Sequence, residues 1–182
     1  MTHSIIFSGF GGQGIMLMGQ LLTQAGMHAG KKVSWIPSYG PEMRGGTAYC
    51  SVTISEEAIG SPVITEPNVV VAMNLPSVTR FASQLTSGGT LIINSSLAPG
   101  LADRKDIVQV QAPMNAIAEE LGSSKVLNMV GLGVVLAACQ PVSVEAMLKG
   151  MDTMFGKKFA DKPQILELNR KALQRGMDHV KK

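Results

Sequence analysis

Short apolar runs with polar ends alternate with longer apolar segments through the first half of the chain, and polar or glycine-rich stretches separate them. Ser4 to Ser8, closed by glycines, predicts a short buried strand. Ile15 to Ala29 is apolar on nearly every side and stops at Gly30, a residue suited to a C-terminal cap, which predicts a buried helix. Val33 to Ile36 predicts a second strand, and the polar stretch from Pro37 to Gly46 leads into an alternating strand over Thr47 to Ser55. No helix separates these two strands. A parallel pair needs a crossover of about a dozen residues, so they are antiparallel or not adjacent, and the sheet is mixed.

Asn68 to Asn74 (NVVVAMN) and Thr90 to Ser96 (TLIINSS) are continuous apolar runs with polar ends, which suit interior strands of a parallel sheet. Between them Pro76 to Leu85 supplies a crossover helix that opens on proline, and Ile107 to Val110 predicts a last strand. The remainder reads as helical: Met114 to Leu121, Leu127 to Cys139, Val144 to Met154 and Gln164 to Val180, the last with Ile165, Leu168, Ala172 and Arg175 on one face. The pattern predicts one doubly wound α/β domain over residues 1–182, with a mixed, mostly parallel sheet and a helical C-terminal part.

Composition changes this picture in one respect. Charged residues make up 16% of the chain, beside 45% hydrophobic residues and 12 methionines, where an average soluble domain has roughly 25% charged residues. A small free-standing domain needs charge on its large surface. The low charge therefore points to a surface covered by another chain, unless this is an ordinary apolar-rich α/β domain. The net charge of +3 is spread along the chain, and Lys and Arg do not cluster with aromatics, which argues against nucleic acid. No apolar run has the roughly 18 residues of a membrane-spanning helix, and the first residues lack the order of a secretory signal, so the expected location is the cytoplasm. Cys50 and Cys139, far apart, encode neither a disulfide framework nor a metal or iron–sulfur site and are expected as small core residues.

The candidate chemistry lies in the loops. GFGGQG, Gly9 to Gly14, has the spacing G-x-G-x-x-G between a strand and a helix, the setting of a dinucleotide-binding turn. Its glycines let the backbone approach a phosphate, and the helix N-terminus favours negative charge. The second half of that fingerprint, an acidic residue about twenty positions on, is missing. The first acidic residue of the chain is Glu42. Lys-Ser or Lys-Thr does not follow Gly14 either, so a Walker A loop is excluded. The loop is then a phosphate site without NAD specificity, or a structural turn or subunit contact.

Ligands of open α/β sheets sit outside the carboxyl ends of the strands. If the strands are parallel, Gly9 to Gly14, Ser38 to Gly46, Asn74 to Ser77 and Asn94 to Ser96 meet at one edge, with Tyr39 and Arg44 beside the glycine loop. Arg44 suits a phosphate or carboxylate or pairs with Glu42, and Gly45 and Gly46 allow close backbone approach. No catalytic constellation is visible: His3, His28 and His179 are scattered and no G-x-S-x-G elbow occurs. A chain without its own acid, base, nucleophile, metal or redox site reads as a subunit.

The paired motifs Gly9-Phe10-Gly11-Gly12-Gln13-Gly14 and Ser38-Tyr39-Gly40-Pro41-Glu42-Met43-Arg44-Gly45-Gly46 resemble the start of the gamma subunit of the 2-oxoacid:ferredoxin oxidoreductases, which act on pyruvate, 2-ketoisovalerate and 2-oxoglutarate. Weaker echoes continue in IGSPVITEPNVVVAMN and in NMVGLGVVLAAC, Asn128 to Cys139. The resemblance implies a Rossmann-like three-layer domain inside a complex. That complex decarboxylates a 2-oxoacid on thiamine diphosphate, passes electrons through iron–sulfur clusters to ferredoxin and releases acyl-CoA. Thiamine diphosphate, magnesium and the clusters belong on partner subunits of the alpha and beta type, with a delta subunit left open. By similarity Gly11, Gly12, Gln13 and Gly14 contact coenzyme A, with Tyr39 and Arg44 nearby or at the subunit interface. Gly9, Gly45, Gly46 and Asn74 complete the candidate site, and no residue is assigned to catalysis or to a metal. The alternatives are a purely structural docking subunit and an independent NAD(P)-binding protein, against which the missing acid counts. Nothing in the chain selects a particular 2-oxoacid.

Overall fold

The computed structural model describes residues 2–38 and 47–181. In chain order the elements are β1 (His3–Phe10), α1 (Ile15–His28), β2 (Lys32–Ser38), β3 (Thr47–Ser55), β4 (Val69–Ala72), α2 (Leu75–Phe81), β5 (Thr90–Asn94), β6 (Val108–Ala112), α3 (Met114–Glu120), α4 (Leu127–Cys139), α5 (Val144–Phe155) and α6 (Pro163–Val180). Short 3-10 turns follow α2 at Ala82–Gln84 and precede α4 at Ser124–Val126.

Among the described residues the strands form one sheet in the order β2-β3-β1-β4-β5-β6. β1 pairs parallel with β4, β4 with β5 and β5 with β6, whereas β3 is antiparallel to both β1 and β2. Every strand except β3 therefore points the same way, as the sequence pattern predicts. The missing crossover between β2 and β3 makes them an antiparallel neighbouring pair. Ser38, Tyr49, Ser8 and Ala72 lie level across four strands, so the carboxyl ends of β1, β2 and β4 reach one edge.

Period-two alternation sorts the strand side chains into two layers of core. Ile5, Phe7, Cys50, Val52, Ile54, Val71 and Ile92 pack against the side that carries α1 and α3 to α6. Ile6, Val70, Ala72, Leu91 and Ile93 face the other side, where Val78, Phe81, Ala82 and Leu85 of the α2 segment cover them. Both faces of β4 are buried, which is why VVVA is continuous rather than alternating.

The helices depart from the sequence reading in two places. α1 does not bury every side: Ile15, Met18, Leu21, Leu22 and Ala25 are buried, while Gln20 and Met27 are exposed. The helix that is buried nearly all round is α4, from Leu127 to Leu136. It is covered by α6, whose buried face is Asn169, Ala172, Leu173, Gly176 and Met177. Arg175, expected on that face, is instead exposed and pairs with Glu120 at 2.7 Å. The reason is glycine. Gly133 of α4 and Gly176 of α6 meet backbone to backbone, a Cβ on Gly133 coming within 3.0 Å of the Gly176 Cα. At this close crossing Ala172, Leu173, Gly176 and Met177 face inward, while Ile165 and Leu168 are only half-buried.

Candidate functional site

The carboxyl edge of β1, β4 and β5 is where the candidate residues gather. β1 extends through Gly9 and Phe10, which pair with Ala48 and Thr47. A Cβ on Gly9 would lie 2.8 Å from both Ile15 Cδ1 and Met73 Cβ, so only glycine lets α1 and the end of β4 close on this strand. Gly11 and Gly12 are exposed at the tip. Gly12 and Gly14 turn the chain with φ of 94° and 77°, values that side chains disfavour.

Gly14 is the N-cap of α1, with no capping side chain and no acidic residue in the first turn. Among the described residues, the leading amides of this 14-residue helix have no side-chain cap and no carboxylate in the first turn. Such an end attracts negative charge.

Gln13 has a defined position. Its Oε1 accepts the Phe10 N–H at 2.6 Å and its Nε2 donates to the Met73 carbonyl at 3.3 Å. The side chain thus closes the loop and ties it to β4. The same carbonyl accepts from Asn94 Nδ2 at 3.2 Å. Fully buried Asn94 also donates to Asn115 Oδ1 at 2.8 Å and accepts from the backbone of Met114 at 3.1 Å and Ser96 at 3.3 Å.

Asn74 lies at the same edge, where its Oδ1 accepts the Ser77 N–H at 2.9 Å and caps α2. The Ser77 hydroxyl accepts from Ser8 of β1 at 2.8 Å. Among the described residues the Asn74 Nδ2, which is buried, has no hydrogen-bond partner.

Asn128, the polar second position of α4, packs on Gly14. A Cβ on Gly14 would come within 2.8 Å of its Nδ2. The sequence reading places Asn94 to Ser96 at this edge without naming Asn94 among the candidate site residues, and it does not single out Asn128, because a single amide in an apolar run gives no signal.

Tyr39, Arg44, Gly45 and Gly46 lie outside the described residues. β2 ends at Ser38, level with Ser8 at the same edge and separated from β1 by β3.

The other reactive groups lie elsewhere. Burial pushes the Cys50 thiol up to about 12 and the Cys139 thiol to about 11, so both stay protonated. Burial, with Lys31 adding to it, lowers the His3 pKa. Among the described residues no group of His, Cys, Asp and Glu is arranged to hold a metal ion, and no helix is long and apolar enough to cross a membrane.

The pattern of one known family, pyruvate ferredoxin/flavodoxin oxidoreductase, matches residues 4–179. The chain belongs to that family. Among members of the pyruvate ferredoxin/flavodoxin oxidoreductase family, the ketoisovalerate oxidoreductase subunit VorA of Methanothermobacter marburgensis is 36% identical over 96% of this chain and 36% of its own length. This chain thus spans about a third of that relative. The gamma subunit of a keto/oxoacid ferredoxin oxidoreductase from Geobacter sulfurreducens has a TM-score of 0.81, with 30% identity, over 98% of both chains. The fold also recurs in 31% of a chain of the 2-oxoglutarate:ferredoxin oxidoreductase from Magnetococcus marinus, solved with 2-oxoglutarate, coenzyme A and succinyl-CoA. That match covers 99% of this chain, with a TM-score of 0.88 and 24% identity.

Proposed function

We propose that this chain is the gamma subunit of a thiamine diphosphate-dependent 2-oxoacid:ferredoxin oxidoreductase. Such an enzyme turns a 2-oxoacid, CoA and oxidised ferredoxin into acyl-CoA, CO2 and reduced ferredoxin. In this reading residues 1–182 act as one domain that completes the CoA site, in the cytoplasm. Thiamine diphosphate, magnesium and iron–sulfur clusters lie on alpha- and beta-type partners, with a delta subunit where the complex has one.

The observation that carries the ligand reading is the uncapped N-terminus of α1 beneath the exposed Gly11 and Gly12, at the edge where β1 changes neighbours from β3 to β4. That is the switch point at which open α/β sheets bind ligands. The residues fit the phosphates of CoA: backbone N–H groups are offered, and no carboxylate stands in the first turn. Gly9 and Gln13 shape the loop, Gly11, Gly12 and Gly14 approach the ligand, and Asn74 holds the neighbouring strand end. Tyr39, Arg44, Gly45 and Gly46 complete the CoA site in this reading. The CoA bound by the fold neighbour makes CoA the first ligand to test.

Reconstitution is the experiment. The purified chain should show no ferredoxin reduction with any 2-oxoacid and should restore activity when added to its partner subunits. Turnover by the isolated chain would overturn the assignment.

A second reading, docking without ligand contact, is favoured by Leu75 and Leu97, 52% and 42% exposed, which follow β4 and β5 at the same edge. It predicts that loop substitutions change assembly and leave the KM for CoA untouched.

A further inference from the structure

The α2 side of the sheet is covered unevenly. α2 is seven residues long, and its segment packs on Ile6, Val70, Ala72, Leu91 and Ile93 of β1, β4 and β5. On the same side Ile6, Ser51 and Ile36 stand level across β1, β3 and β2, yet Ser51 and Ile36 are only half-buried. A serine between two isoleucines leaves a dip in the sheet surface.

That dip belongs to a recess of about 260 Å³. Tyr49, Phe81 and Arg80 form one part of its wall, and Val63 and Ile64 another. Val63 is 66% exposed. Among the described residues Arg80 is the one charged group that lines the recess.

Arg80 is held by its face and free at its edge. Its Cζ lies 4.8 Å from the centre of the Tyr49 ring and 5.0 Å from that of Phe81, the two rings being 5.3 Å apart. Stacking uses the flat face of a guanidinium and leaves its in-plane fork of N–H donors for a carboxylate. Arg104, Arg170 and Arg175 each pair with a carboxylate of the chain. Among the described residues Arg80 alone of the arginines has no such partner, and its side chain makes no hydrogen bond. An arginine set among aromatic rings is also the composition of a binding hot spot.

We propose that a partner subunit docks at this recess, inserting an apolar side chain over Ser51 and presenting an Asp or Glu carboxylate to Arg80. This rests on the reading of the chain as a subunit and requires no contact with CoA. Charge decides the occupant: the recess offers one unpaired cation above apolar walls, which an acidic residue beside an apolar one complements.

Assembly is titrated by adding this chain to its partner subunits, with ferredoxin reduction at saturating CoA and sedimentation as two readouts. Arg80→Ala should raise the half-assembly concentration by about tenfold, the scale of one lost charge-assisted hydrogen bond. Arg80→Glu should raise it further, because two carboxylates then face each other. Ser51→Leu, which fills the dip, should raise it by about tenfold as well. Added salt should weaken assembly of the wild type more than that of Arg80→Ala. Once assembled, all three variants should keep the wild-type KM for CoA. The Arg80 variants change an exposed side chain and carry the test alone if Ser51→Leu does not fold.

Unchanged half-assembly in Arg80→Glu would overturn the proposal, and so would tight assembly of folded Ser51→Leu, since nothing then enters the dip. A raised KM for CoA with assembly intact would make the recess a ligand contact instead. A dimer of the isolated chain that Arg80→Glu splits would give the recess to a second copy. Either result overturns docking by a partner. If the wild-type chain neither assembles nor restores activity, it is the subunit reading that fails.

Discussion

The Nε2 of Gln13 donates to the carbonyl oxygen of Met73 at 3.3 Å, so the glycine loop is fastened to the end of β4 across the parallel β1–β4 pair. With the 2.6 Å bond from Phe10, both ends of this amide are used to shape the loop. Gln13→Ala should cost about 1–2 kcal/mol of stability in urea unfolding, the worth of two such bonds. In the assembled enzyme it should raise the KM for CoA more than it lowers kcat. Gln13→Glu keeps the acceptor but places a carboxylate beside the loop, and should raise that KM further. An unchanged KM in both variants would assign the loop to assembly.

Gly176 is fixed by contact rather than by conformation. A Cβ there would strike the backbone carbonyl of Val130 and come within 3.1 Å of the Gly133 Cα, and backbone cannot give way as a flexible side chain does. Gly176→Ala should destabilise the protein by about 2–3 kcal/mol, typical of overpacking in a core, read as a lower denaturation midpoint at constant slope. A loss below about 0.5 kcal/mol would show that α6 does not pack this closely.

Asp106 gives an acid-sensitive contact away from the site. Hydrogen bonds from Arg104, both 2.7 Å, hold its carboxyl down at about 2. The folded pKa lies below the ordinary value near 3.9, so the contribution is complete above about pH 4 and is lost as pH falls toward 2. Arg104 also donates to the Ala82 and Leu85 carbonyls at 2.9 and 3.2 Å. Asp106→Asn should therefore flatten the acid limb of the stability curve in that window and leave it unchanged near pH 7 relative to pH 5. Identical acid limbs would show that the pair is not formed in solution.

Cys50 and Cys139, held at about 12 and 11, carry thiolate fractions below about one in a thousand at pH 8. A disulfide exchange reagent should label half-buried Cys139 slowly and fully buried Cys50 only on unfolding. Rapid labelling of Cys50 in the folded protein would contradict its burial.

The order and type of the elements were legible because periodicity reports burial. Boundaries were less legible where pairing overrides local chemistry. β1 runs on through Gly9 and Phe10 because β3 supplies partners for both. β2 continues through Pro37, which is tolerated because β2 is an edge strand with one unpaired side.

The inward face of α6 was misread because hydrophobicity cannot announce a glycine-to-glycine crossing. For the site, the glycine spacing located the loop, but it could not show that Gln13 turns inward to Met73. Asn128 was hidden because its importance comes from what approaches it in space.

The crossing of α4 and α6 also bears on how the chain is made. α4 is apolar around its whole circumference, and the helix that seals it is translated several dozen residues later. Until Gly176 has left the ribosome, α4 offers a naked oily surface to the cell. Chaperone demand should therefore peak in that interval, and truncations before α6 should be recovered as aggregates.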